Sequence, residues 1–155
     1  MSALEASALQ ANVQEALAAF AAALPPAAIQ TAHEDIAPFL TDWRGTKTGR
    51  ADALLLPASA DQVQAIVRIA CLHDVSLVPQ GGNTGLVGGS VPEASSARPV
   101  VIVSTRRLRA IRSVDAAGLC LIAEAGAVLS DVHAAATAAG CVFPLSLGEI
   151  GRAHV

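Results

Sequence analysis

The chain has 155 residues, of which 53% are apolar and 15% charged, and its net charge is -3. This length allows one domain with a buried core but is small for a two-domain enzyme. The composition indicates no nucleic-acid-binding patch, and no uninterrupted apolar run reaches the roughly 18 residues of a membrane span.

The cysteines limit the structural and cellular possibilities. Cys71, Cys120 and Cys141 are odd in number and have no C-x-x-C spacing, so neither a disulfide framework nor a zinc site is predicted. The first residues, Met1–Ala23, lack the basic start of a secretory signal. We therefore expect a cytoplasmic protein with no metal ligands.

The chain opens with a predicted helix. Apolar residues near helical spacing predict it over Leu4–Leu24, and Pro25-Pro26 ends it. We interpret it as a loosely packed lead-in. The following His33-Glu34-Asp35 is predicted to be a solvated turn, because adjacent residues do not converge on one helical face. Trp43 is expected to be buried as an anchor, with Arg44 outside.

The middle of the chain predicts an α/β unit. Ala53–Pro57 and Val75–Val78 indicate short strands, and Pro99–Val103 has the continuous apolar character of a strand buried on both faces. Between the first two strands, Ser59 begins a capping box with a glutamine three residues later, which predicts a helix start. We expect a parallel strand pair joined by a crossover helix, with Cys71 in the core.

A second unit is predicted after an arginine-rich connector at Ser104–Arg112. Ile111–Asp115 and Leu119–Glu124 alternate as the strands of a hairpin. Ser130 is predicted to cap a helix that Gly140 ends. Cys141-Val142-Phe143 is predicted to be a last strand.

The most distinctive stretch is Pro79–Pro92, which contains five glycines within nine residues. Successive N–H groups of such a loop can form a concavity for an anion, and glycine lets a ligand approach the backbone. No Lys or Arg lies between Gly81 and Val91, so main-chain donors would hold the anion. The spacing fits neither the dinucleotide fingerprint nor the phosphate loop of nucleotide triphosphatases. A flexible surface loop is the alternative.

This loop resembles the pyrophosphate loop of FAD-linked oxidoreductases of the vanillyl-alcohol oxidase and p-cresol methylhydroxylase (PCMH) type. It is most similar to their D-2-hydroxyacid dehydrogenase branch, which includes D-lactate and D-2-hydroxyglutarate dehydrogenases and the flavin subunit of glycolate oxidase. Leu40-Thr41-Asp42-Trp43-Arg44-Gly45 and Pro144-Leu145-Ser146-Leu147-Gly148 extend the resemblance. It implies an α+β fold: a PCMH-type FAD-binding domain of two small α/β subdomains after a helical lead-in.

The resemblance also implies a division of the chain. Residues 1–50 would be the lead-in and residues 51–148 an incomplete FAD-binding domain, with subdomains at about 51–105 and 106–148. Residues 149–155 depart abruptly from the family pattern. They look like the translation of a sequencing adapter, so we expect a truncated chain with a non-native tail; a genuine polar tail is the alternative.

By resemblance, the cofactor is FAD, and some relatives attach it covalently through a histidine in this loop. The matching positions here are Asn83 and Thr84, so we expect non-covalent binding. Arg44 is a candidate contact for an anionic substrate. No catalytic or metal-binding residue can be placed on this chain. The residues assigned to FAD are Pro79, Gly81, Gly82, Asn83, Thr84, Gly85, Gly88, Gly89, Ser90, Leu145 and Gly148.

The implied reaction is oxidation of a D-2-hydroxy acid to a 2-oxo acid, with hydride transfer to FAD. The expected partners are FAD and, in the full-length enzyme, a small 2-hydroxy acid and an electron acceptor of unspecified kind. The chain alone is expected to be inactive. A non-catalytic ligand-binding or interaction domain is the alternative function.

Overall fold

The computed structural model describes residues 3–145, which contain a four-stranded sheet and a separate two-stranded sheet. The α-helices of this part are α1 (Ala3–Ala23), α2 (His33–Ile36), α3 (Ala60–Leu72) and α4 (Leu129–Ala138). Short 3-10 turns cover Pro26–Ala28 and Ala37–Phe39. The strands are β1 (Ile29–Gln30), β2 (Ala53–Leu55), β3 (Ser76–Gln80), β4 (Val100–Ser104), β5 (Ile111–Asp115) and β6 (Cys120–Ala123).

The four-stranded sheet has the order β1-β2-β4-β3. Strands β2 and β3 both pair in parallel with β4, whereas β1 pairs antiparallel with β2. The α/β unit is confirmed, but the strands on either side of α3 are not neighbours, as the expected pair required. Strand β4 lies between them, and all its residues are buried. The central position suits its continuous apolar sequence, because neighbouring strands cover both edges of a central strand while its faces are covered by packing.

Helix α1 belongs to the main core. Its residues Ala16 and Phe20 are buried in one cluster with Ile66 and Ala70 of α3. The expectation of a loosely packed lead-in is therefore wrong, because the apolar stripe has a helix and a sheet face to cover. Asn12 adds a hydrogen bond from its amide nitrogen to the His73 carbonyl oxygen at 2.9 Å. Although α1 is long, no helix in residues 3–145 is long and apolar enough to cross a membrane.

The start of α3 is as predicted. The Gln62 backbone N–H donates to Ser59 Oγ at 3.3 Å, and Gln62 Oε1 accepts from the Ala58 N–H at 2.7 Å. The predicted burial of Cys71 is wrong, because its side chain is exposed. Cys71 follows Ala70 directly, and a step of one residue turns a helical side chain about 100° away from the buried face.

The second unit follows the predicted hairpin but departs from the prediction at the start of α4 and in the segment after it. The helix begins at Leu129 with Val128 at the N-cap position and no side-chain cap, so the predicted Ser130 cap is wrong. Gly140 ends the helix as predicted, with φ +73. The predicted strand at Cys141-Val142-Phe143 is also wrong, since no strand of the described part pairs with it. The Phe143 ring instead lies 5.7 Å from that of His133.

Candidate functional site

Two backbone segments leave the sheet side by side at one edge. Strands β3 and β4 are parallel, and Gln80 is in register with Ser104. The glycine loop after Gln80 and the segment after Ser104 therefore start next to each other, and the Thr105 N–H donates to the Gln80 carbonyl oxygen at 3.0 Å. In parallel sheets this edge, beyond the carboxyl ends of the strands, is where ligands bind.

Buried and partly buried side-chain hydrogen bonds hold the glycine loop in place. The Gln80 Nε2 amide donates to the carbonyl oxygens of Phe39 at 3.0 Å and Ser90 at 2.8 Å, which ties both ends of the loop to the lead-in. Asn83 Nδ2 donates to the Thr41 carbonyl oxygen at 2.8 Å, and Asn83 Oδ1 accepts from Ser90 Oγ at 2.7 Å. The loop is thus bound to its surroundings at several points, unlike a simple surface loop.

A turn at Asp42–Lys47 supports the outer part of the loop. The Asp42 carboxylate accepts the backbone N–H groups of Thr46 and Lys47 at 2.7 and 2.8 Å, and the Thr46 hydroxyl at 2.8 Å. The Lys47 N–H is the main cause that lowers the Asp42 pKa below its ordinary value of 3.8, followed by the Thr46 hydroxyl. Lys47 Nζ reaches the Gly88 carbonyl oxygen at 3.4 Å.

The predicted burial of Trp43 is wrong, because its side chain is 46% exposed. Trp43 lies within this turn, whose hydrogen bonds join Asp42 to Thr46 and Lys47.

The glycines of the loop have different structural reasons. Gly88 has φ +67, a conformation that other residues rarely adopt. Gly81, Gly85 and Gly89 do not have a positive φ. A Cβ at Gly85 or Gly89 would meet nothing within 4 Å, and one at Gly81 would meet only Thr105 Oγ1 at 3.7 Å. These positions leave uncovered backbone, which is the arrangement that a cradle for a ligand requires.

A cleft of about 320 Å³ lies beside this backbone. Its volume is at the lower end of the range for small-molecule sites. Its walls come from the glycine loop, the segment after β4 and the start of α4. The lining residues are Gly81, Gly82, Thr105, Arg106, Arg109, Ala125, Gly126, Ala127, Val128 and Leu129.

Gly126 and Glu124 dock the second unit against the segment that follows β4. The Gly126 N–H donates to the Leu108 carbonyl oxygen at 2.8 Å, and a Cβ on Gly126 would stand only 1.8 Å from the Thr105 carbonyl oxygen. Glu124 accepts from the Ala110 N–H at 2.9 Å. The Arg112 guanidinium, 2.8 Å away, is the main cause that lowers the Glu124 pKa. Glycine at 126 is therefore needed for the cleft wall to close.

Only part of the predicted site lines the cleft. Gly81 and Gly82 do, whereas Asn83 and Ser90 form the network that supports the loop. Leu145 is exposed, and its carbonyl oxygen lies 2.8 Å from His133 Nε2. Of the other predicted residues, Pro79 lies on β3, and Thr84, Gly85, Gly88 and Gly89 lie on the outer part of the loop. Gly148 and the predicted tail 149–155 lie outside the described residues.

Arg44 lies apart from the cleft. Its guanidinium is 5.3 Å from the centre of the Trp43 ring, on the exposed turn. The sequence prediction instead missed Arg106 and Arg109, which it placed in an exposed connector. Their signal was the arginine run itself, but only the parallel pairing of β3 and β4 brings that run beside the glycine loop.

The comparisons with known proteins agree with this geometry. A family model described as FAD binding domain matches residues 51–155. The D-2-hydroxyglutarate dehydrogenase of Xanthomonas citri pv. viticola is 34% identical over 133 residues, which covers 86% of this chain and 27% of that protein. The mitochondrial D-2-hydroxyglutarate dehydrogenase of Arabidopsis thaliana is 36% identical over 115 residues (74% of this chain, 20% of that protein). That of Rattus norvegicus is 34% identical over 142 residues (92% and 26%).

Solved structures show the same fold at lower identity. p-Cresol methylhydroxylase with bound substrate superposes with a TM-score of 0.72 at 18% identity, covering 93% of this chain and 28% of that one. An alkyldihydroxyacetonephosphate synthase gives 0.73 at 20% identity (82% and 25%). The chain thus spans about a quarter of these structures, and a similar share of the curated relatives. The expected cytoplasmic location is wrong, because the Arabidopsis and rat relatives are mitochondrial proteins.

Proposed function

Because the chain belongs to the family of PCMH-type FAD-binding domains, we propose that the cleft beside Gly81 and Gly82 receives the diphosphate of FAD. The observation that carries the proposal is the meeting of uncovered glycine backbone with two arginine side chains in one cleft. The cleft takes its lining from both proposed subdomains, 51–105 and 106–148. FAD bound there would lie between them.

The charges of the cleft match a diphosphate. Arg106 and Arg109 contribute positive charge, and the lining includes no acidic residue. Val128 is the N-cap of α4 and Leu129 its first residue, at the end where unpaired N–H groups give a helix a partial positive charge. A diphosphate would therefore meet main-chain donors on one side and cations on the other. The rest of the loop, from Thr84 to Ser90, would run along the cofactor, with Leu145 and Gly148 on its other side.

We propose that FAD binds non-covalently. The Asn83 amide already donates to the Thr41 carbonyl oxygen and accepts from Ser90 Oγ. Its side chain is a structural tie of the loop, and an amide is no nucleophile for a flavin. Thr84, the neighbouring candidate position, has a hydroxyl rather than an imidazole.

For the whole protein, we propose oxidation of a D-2-hydroxy acid to a 2-oxo acid, as in the D-2-hydroxyglutarate dehydrogenases to which the chain is similar. Bound FAD would supply the hydride acceptor, and the protein would supply orientation and electrostatics. Arg44 remains a proposed contact for the substrate carboxylate. The present chain would bind the cofactor without turning over substrate, because one exposed arginine does not fix a small acid in a reactive pose.

Flavin titration of the purified chain tests the proposal. We expect FAD to bind and its fluorescence to change, and we expect Gly82→Val to weaken this binding far more than it lowers the thermal midpoint, since the branched side chain fills the space of the phosphate. Ala97→Val, on an exposed connector, is the matched control and should leave binding unchanged. Equal flavin affinity in Gly82→Val and the parent would refute the assignment of this cleft. No FAD binding by the parent would favour a non-catalytic interaction domain.

A further inference from the structure

We propose that Arg109 is the side chain that selects a diphosphate-bearing flavin, by closing over the cleft and pairing with the phosphate oxygens. The inference rests on the proposed FAD site and goes beyond it. It names the residue that makes the cleft specific for FAD over riboflavin, which has the same ring system but no phosphate.

The arginine run at 106–112 contains four cations, and three of them have partners. The Arg106 guanidinium lies 4.7 Å from the centre of the Phe39 ring. Arg107 Nη1 donates to the Leu56 carbonyl oxygen at 3.2 Å, and Arg112 forms an ion pair with Glu124 at 2.8 Å. Arg109 is the member of this run for which residues 3–145 provide no hydrogen bond, ion pair or ring contact.

Arg109 is also in the right place. It lines the cleft together with Gly81 and Gly82, and its side chain is exposed. The acidic residue closest to it in the chain, Asp115, belongs to the hairpin turn, where its carboxylate accepts the N–H groups of Ala117 and Gly118. No carboxylate of the cleft lining competes with a ligand for this guanidinium.

The chemistry of the guanidinium decides what it would hold. Its planar fork of N–H donors matches two phosphate oxygens at once, and hydrogen bonds between two charged groups are about twice as strong as neutral ones. The glycine backbone supplies donors from one side only. The Arg109 guanidinium, which lines the same cleft, would complete the enclosure of a diphosphate, and it would add nothing to a neutral riboflavin.

The test compares Arg109→Gln with Arg107→Gln. Both variants remove one positive charge from the same run, but Arg107 bonds to Leu56 outside the cleft lining. We expect the Kd of FAD to rise about ten-fold or more in Arg109→Gln, the size associated with one charged hydrogen bond, and to stay near the parent value in Arg107→Gln. Riboflavin affinity should be the same in all three proteins. Arg109→Lys, which keeps the charge but loses the fork, should fall between the parent and Arg109→Gln.

Two further readouts separate this role from a structural one. Since Arg109 has no partner within the described part of the chain, Arg109→Gln should keep the parent's thermal midpoint. The parent's Kd for FAD should rise with added NaCl more steeply than that of Arg109→Gln. Equal losses of FAD affinity in the two glutamine variants, or no loss in Arg109→Gln, would overturn the assignment while leaving the FAD site intact. Failure of the parent to bind FAD would overturn the proposed function and this assignment together.

Discussion

Replacing Gln80 by glutamate should make the stability of this protein fall as pH rises. Gln80 is only 1% exposed, and its Nε2 amide donates to two backbone carbonyl oxygens, those of Phe39 and Ser90. Its Oε1 has no hydrogen-bond partner in the described part of the chain. The amide is thus oriented by two acceptors, and a carboxylate in its place would direct negative charge at both.

The magnitude follows from linkage between protonation and folding. An ionised glutamate facing two carbonyl oxygens is disfavoured. In the folded variant the introduced carboxyl group should therefore stay protonated and donate its O–H to the carbonyl oxygen of Phe39 or Ser90. The pKa of the introduced acid is then raised in the folded state, and its unfolded value is about 4.3. While only the folded state holds the proton, stability falls by about 1.4 kcal/mol per pH unit. Between pH 4.3 and pH 7 this gives a loss of about 3–4 kcal/mol.

Urea unfolding of the parent, Gln80→Glu and Gln80→Met across pH 4.5 to 7.5 measures this effect. The methionine variant also removes both donated hydrogen bonds, at a cost of about 1–3 kcal/mol for each carbonyl left unpaired, but its deficit should not change with pH. Both variants should bind FAD more weakly, because the two ends of the glycine loop lose their tie. Parallel pH–stability curves for the parent and Gln80→Glu would show that the site admits water or rearranges, and would refute the reasoning.

Three more predictions concern the turn, the cleft wall and the reaction. The Asp42 pKa is lowered in the folded state, so the ionised carboxylate stabilises the fold above its unfolded pKa near 3.8, and this stability is lost as pH falls through the folded pKa. Asp42→Asn should therefore be less stable than the parent at pH 7. The difference in unfolding free energy between the two proteins should narrow as the pH is lowered. Gly126→Ala should cost about 1–3 kcal/mol by denaturant unfolding, because its Cβ meets the Thr105 carbonyl oxygen, whereas Ala97→Ser on the exposed connector should cost nothing measurable. Dye-reduction assays with D-lactate, D-2-hydroxyglutarate and glycolate test the reaction. The present chain with added FAD should show no turnover, whereas a chain extended to the length of its relatives should reduce the dye. Equal rates for the two proteins would mean that the catalytic residues lie in this chain.

Local signals in the sequence were sufficient for several elements. The Ser59 cap, the glycine after α4 and the turn between β5 and β6 depend on interactions within a few residues, so the letters alone predict them. The continuous apolar run of β4 similarly indicates burial on both faces. The glycine loop was recognisable because its composition is incompatible with a helix or strand of ordinary stability.

Only the tertiary structure decided which segments meet. The central place of β4, the burial of α1 and the exposure of Cys71 and Trp43 depend on partners distant in sequence, which no local pattern specifies. The strand predicted at Cys141-Val142-Phe143 failed for the same reason, because a strand needs a partner in the sheet and its own letters do not supply one.

The cleft shows the same division between local and tertiary information. Gly81 and Gly82 could be identified from the sequence, since an exposed backbone requires a local composition. Arg106 and Arg109 could not, since a run of four arginines has the same appearance on a solvated surface as beside a ligand. Their place at the cleft follows from the register of β3 against β4, which sets Gln80 opposite Ser104 and so brings the two loops together.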